Sequence, residues 1–189
     1  MPHDTLIFNL NRIWQCYNIR LRMVCLHMAK IIVFRRDEKK GEREMAEVSV
    51  FDVAKYILEK VGPLSTMKLQ KLVYYSQAWS LVWDDLLFSE TIEAWANGPV
   101  VSELYVVHRS RYKINANFIK SGDSSNLNET QKETINAVIK FYGDKTAQWL
   151  SDLTHSEQPW ITARKGIPDG ERGNSEIKPA SMAEYYERI

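Results

Sequence analysis

STMKLQKLVYYSQAWSLVW, residues 65–83, places apolar side chains on nearly every side of a helix. Leu69, Leu72, Val73, Tyr74, Tyr75, Ala78, Trp79, Leu81, Val82 and Trp83 together cover most of the circumference. A helix that is apolar nearly all round must be enclosed by its neighbours. Ser65 or Thr66 is suited to cap its start, since either hydroxyl can accept a first-turn N–H. The stretch therefore predicts the spine of a mainly α (α+β) fold: a compact helical domain around a central buried helix, with a small β-hairpin-like element.

Working outward, Ser49 and Asp52 have the spacing of a capping box, and Val50, Val53, Ala54, Ile57, Leu58 and Val61 then form one apolar stripe. Gly62-Pro63 stops that helix. Beyond the spine, residues 86–88 and 91–95 read as two short strands or an irregular hairpin. Asn97-Gly98-Pro99 is a turn, with Pro99 suited to the first position of a helix carrying Val100, Val101, Leu104, Tyr105 and Val107 to about residue 110. Trp95 is expected to pack against Trp79 or Trp83, with Gly98 supplying backbone freedom. Residues 120–128 form a polar loop. A third long helix follows from Asn128, carrying Ile135, Val138, Ile139, Tyr142, Ala147, Trp149 and Leu150, bent at Gly143. A Gly/Pro/Asp-rich loop spans 166–174, and a short helix over 181–188 closes the chain.

The 189 residues suit about one domain, yet the charge is unevenly distributed. Residues 1–44 hold nine Lys and Arg against five Asp and Glu; residues 45–189 hold sixteen against nineteen. Five of the six tryptophans lie in the second segment and both cysteines in the first. This predicts an extension over 1–44 and a domain over 45–189. Arg12, Arg20, Arg22 and Lys30 exclude a bilayer span in the extension, and it lacks the apolar run and cleavage site of a secretory signal. Its apolar spacing also fits an amphipathic helix. Lys40-Gly41-Glu42 can be encoded by a purine run of the kind that binds ribosomes, a few codons before Met45. Met45 is therefore the expected start of translation. Two cysteines make neither a disulfide framework nor a four-cysteine metal site, so the cytoplasm is the expected location.

Three blocks carry a resemblance: STMKLQKLVYYSQAW at residues 65–79, EAWANGPVVSELY at 93–105 and LSDLTHSEQPW at 150–160. In this order they resemble the signature blocks of the Panacea-domain, SocA-like antitoxin family, whose members are often described as phage-associated proteins. The resemblance spans about residues 48–189. It implies the antitoxin of a bacterial or phage-borne toxin–antitoxin system, neutralising a cognate toxin encoded nearby through direct protein binding, without catalysis. A protease or chaperone is a further class of partner compatible with that role.

The residues themselves offer little reaction chemistry. His108, His155, Glu103 and Glu157 could be gathered into a metal or acid–base site, but no HExxH, CxxC or paired-His spacing is present. The plainer expectation is that Thr154, Ser156 or Glu157 caps a helix while His155 bonds to backbone. No serine has a GxSxG context, and the glycines at 166, 170 and 173 match no phosphate-binding fingerprint. The sequence thus predicts no catalytic residue, no cofactor and no metal. Helix, Gly-Pro turn and Lys68-Leu69-Gln70-Lys71 mimic a helix-turn-helix, so a DNA-binding regulator is the rival reading. Against it, a recognition helix needs a polar face, and this helix is polar in its first turn only.

A partner-binding surface is expected where Tyr, Trp and Arg gather outside the core, since these residues dominate interface centres. Tyr105, His108, Arg109, Arg111 and Tyr112 form that candidate, with Arg109, Arg111 and Tyr112 expected to face solvent.

Overall fold

The computed structural model describes residues 47–168 and 170–189. The readings of residues 1–44 as an extension, an amphipathic helix or translated leader lie outside the described residues.

The first helix, α1, spans Val50–Val61. The Asp52 carboxylate accepts from the Ser49 N–H at 2.9 Å while the Ser49 hydroxyl accepts from the Asp52 N–H, closing the expected capping box. The other Asp52 oxygen accepts from the Asp123 N–H at 2.6 Å and ties down the polar loop. Gly62, with φ of 84°, ends the helix where a side chain would be strained. Strand β1 (Leu64–Ser65) follows, and Ser65 caps α2 (Thr66–Trp83). Every residue from Leu69 to Ser80 is buried, so α2 is the spine that its sequence predicts.

Strands β2 (Ile92–Trp95) and β3 (Gly98–Val101) form an antiparallel hairpin, followed by α3 (Ser102–His108) and β4 (Lys113–Ile114), which pairs with β1. Single 3-10 turns at Ala116–Phe118 and Ser124–Asn126 punctuate the next stretch. Four helices complete the order: α4 (Glu129–Tyr142), α5 (Ala147–His155), α6 (Gln158–Ala163) and α7 (Pro179–Glu187). Helix α2 packs against α1, α4, α5, α7 and β3, which fits a mainly α domain with small antiparallel sheets.

Four local expectations are corrected. Pro99 does not open a helix but lies in β3, opposite Ala94. The Ala94 N–H turns outward to the Ser175 carbonyl at 2.8 Å, so Pro99 faces it across a pair without ladder bonds and no bond is lost. Residues 86–88 are not a strand. Gln77 replaces a strand partner there, accepting from Leu87 and Phe88 N–H at 3.0 and 3.2 Å and donating to the Phe88 carbonyl at 3.0 Å. The third long helix is broken rather than bent: α4 ends at Gly143, and Thr146 caps α5 by accepting from the Trp149 N–H at 3.1 Å. Finally, Trp79 stacks on Trp83 at 4.8 Å, whereas Trp95 packs edge-on against Tyr105 at 4.7 Å.

The core beside α2 is unusually rich in tyrosine. Tyr75 stacks on Tyr142 at 4.2 Å, and Tyr186 of α7 meets Tyr74, Tyr75 and Trp79 edge-on. Such edge and offset contacts add to the large area each ring buries.

Candidate functional site

The polar first turns of α2 point inward. Lys68 donates to the Gly143 carbonyl at 2.7 Å, meeting one of the carbonyls left open where α4 ends. Gln70 clasps Val101, accepting from its N–H at 2.9 Å and donating to its carbonyl at 3.2 Å. This pairing fixes the amide orientation, so Gln70 Nε2 donates to His108 Nε2 at 2.9 Å. His108 is therefore a neutral acceptor at that nitrogen, and burial lowers its pKa, which favours the same form. Lys71 is 1% exposed and donates to the Pro99 carbonyl at 3.0 Å. All three side chains thus make bonds within the domain.

The hairpin fits this arrangement closely. Gly98 has φ of 97°, and a Cβ there would lie 2.6 Å from both Lys71 Nζ and Thr154 Oγ1. From the other side, the Ser151 hydroxyl donates to the Asn97 carbonyl at 2.9 Å, and Trp160 Nε1 donates to the Trp95 carbonyl at 2.9 Å. Arg164 reaches the Ala94 carbonyl at 3.1 Å and the Glu171 carbonyl at 2.8 Å, with its guanidinium 5.2 Å from the Trp160 ring centre. Glu157 is fully buried and accepts from the hydroxyls of Tyr186 at 2.5 Å and Tyr75 at 3.3 Å. Burial, and next to it the charge of Glu157, raise the pKa of Tyr74 and Tyr186. The three sequence blocks thus hold one another through buried polar side chains.

In the third block, Ser156 is the C-cap of α5 and Glu157 the N-cap of α6, though the Glu157 side chain makes no cap bond. Thr154 and Ser156 bond back to carbonyls within α5, and Glu157, though at the N-cap of α6, spends its carboxylate on the tyrosines. His155 stacks on Trp160 at 4.2 Å. Its Nε2 is buried without a hydrogen-bond partner, and burial, then the Lys71 charge, lower its pKa. Glu103 is exposed on α3, far in role from the buried Glu157 and His108. Among the described residues, no group of three or more His, Cys, Asp and Glu could hold a metal.

The predicted partner residues separate by burial. Tyr105, Arg109, Arg111 and Tyr112 are exposed, Tyr112 at 85%; His108 is 3% exposed and lies beneath them. Thr66 anchors the segment, its N–H donating to the Tyr112 carbonyl at 3.0 Å and its hydroxyl to the Arg111 carbonyl at 3.1 Å. The backbone is thereby fixed while the side chains point outward. Val106, 59% exposed, adds an apolar contact to the same helix.

Two hollows flank Tyr105, with Trp95 and Arg172 shared by both. The first, about 420 Å³, is lined by Gln70, Lys71, Asn97 and His108 among others. The second, about 600 Å³, reaches Glu93, Val106, Arg109 and Asn174. Arg172 lies 5.7 Å from the Trp95 ring centre. Sequence reasoning does not assign Trp95, Val106, Lys71 or Arg172 to this region. Lys71 carries the one usable signal, a charge at the point where the helix turns apolar on nearly every side.

Residues 69–161 match the family model described as antitoxin SocA-like, Panacea domain. No curated protein and no solved structure matches the chain. The matched stretch runs from α2 into α6, and so takes in the hairpin and α3, while Arg172, which lines both hollows, lies beyond it. Through this stretch, just under half of the chain, the protein is similar to the SocA-like antitoxin, Panacea-domain family.

Proposed function

We propose that this protein is the antitoxin of a bacterial or phage-borne toxin–antitoxin pair, and that it neutralises a cognate toxin in the cytoplasm by direct, non-catalytic binding. The observation that carries this reading is the division of labour between inside and outside. The polar residues of the family blocks are used to hold the fold, whereas exposed aromatic, apolar and basic side chains gather over 105–112. Tyr105, Val106 and Tyr112 are three of the five large hydrophobic residues exposed among the described residues. Stable complexes bury ~800 Å² per partner, and their centres favour Tyr and Arg.

Growth tests the reading. The product of the adjacent gene, expressed alone, should arrest growth, and co-expression of this chain should restore it. His155→Ala should protect equally well, since the reading asks for no chemistry at that ring. A soluble, folded His155→Ala protein that fails to protect would contradict the non-catalytic role. Continued arrest with the unaltered chain would contradict the antitoxin reading itself.

A further inference from the structure

Lys71 is a buried cation without a counter-ion among the described residues. Its ammonium bonds to the Pro99 carbonyl, and no described carboxylate lies within ion-pair distance of it. An ammonium taken from water and given one neutral acceptor is poorly accommodated, and burial lowers its pKa from 10.5 to about 7. Lys71 also lines the 420 Å³ hollow, whose described lining includes a second basic residue, Arg172, but no Asp or Glu. Trp95, Val100 and Tyr105 supply apolar wall, and Tyr105 joins this hollow to the one bordered by Val106 and Arg109.

We propose that the hollow receives an Asp or Glu side chain of the toxin, with its carboxylate pairing with Lys71 and Arg172 while its methylene stem packs on Trp95 and Tyr105. The inference rests on the toxin-binding reading and names the chemistry of the contact. A carboxylate would complete the charge pairing that the free domain lacks, and desolvated charge pairs of this kind are strongly coupled in measured interfaces. The hollow is larger than one acidic side chain requires, which leaves room for the flanking backbone of the toxin segment.

The test titrates the toxin, the product of the adjacent gene, against the parent chain, Lys71→Met and Arg172→Ala by calorimetry, with thermal melts of each free protein. Methionine keeps the length of lysine and removes the charge. Lys71→Met should melt within about 4 °C of the parent yet bind at least about tenfold more weakly. Arg172 is exposed, so Arg172→Ala should fold normally and bind several-fold more weakly. Substituting the toxin's carboxylates in turn should reveal one whose removal costs affinity in the parent and nothing further in Lys71→Met. Undiminished binding by Lys71→Met overturns the proposal and leaves the antitoxin reading intact. Failure of the parent to bind the toxin removes both. If Lys71→Met does not fold, Arg172→Ala decides, and unchanged affinity in that variant overturns the proposal.

Discussion

Lys71 and Glu157 are opposite charges, both buried, and they are satisfied very differently. Glu157 accepts from two tyrosine hydroxyls, whereas Lys71 has a single backbone carbonyl. The lysine should therefore leave a signature in stability. In the unfolded chain it holds its proton up to the ordinary value of 10.5, but in the folded domain only to about 7. Between those values the unfolded state binds more protons, so raising the pH favours the folded state. Stability should rise from pH 7 to pH 9 by up to about 1.4 kcal/mol per pH unit, and Lys71→Met should flatten that slope. Denaturant melts at a series of pH values check this; equal slopes in the two proteins would contradict the burial of a titrating amine. At this scale the sequence is hard to read. Nothing in KLQKL says that Lys71 meets a carbonyl 28 residues away, or that His108 turns under Tyr105 to meet Gln70.

Among the elements, helices with one clear periodicity and one clear cap are legible, and α1 and α2 form as their patterns predict. Misreadings fall where a residue suits two geometries. Pro99 fits the first turn of a helix as well as a strand position with no ladder bond, and tertiary context decides between them. The apolar run at 86–88 looks like a strand because its buried amides do need partners, but the partner is the Gln77 side chain. Thr146 is a sound N-cap inside what reads as one long apolar pattern, and it divides α4 from α5. The β2–β3 hairpin is the element most dependent on a single position. Gly98→Ala would meet a φ of 97° and crowd both Lys71 Nζ and Thr154 Oγ1. It should destabilise the domain by at least about 2 kcal/mol. A denaturant midpoint unchanged in Gly98→Ala would mean that the hairpin does not seat on α2 and α5 as described.

For the whole molecule, the three blocks that carry the family resemblance also hold the domain together. Lys71, Gln70, Gly98, Thr154, Glu157 and Trp160 are contacts of the domain with itself. The outward face over 105–112 is a different kind of feature, read from residue type and exposure together. Its candidates were legible because Tyr and Arg stand out beside an apolar helix; the hollows beside it were not, since they are made by the fold bringing β2, α3 and the loop at 170–174 together. If this face takes the toxin, the double variant Arg109→Glu, Tyr112→Ala should lose affinity for the product of the adjacent gene. Both side chains are exposed, so the variant should fold like the parent. The parent should form a saturable complex, and the variant should bind at least about tenfold more weakly, the loss expected when central interface residues are truncated. Undiminished binding by the folded double variant would contradict toxin binding at this face.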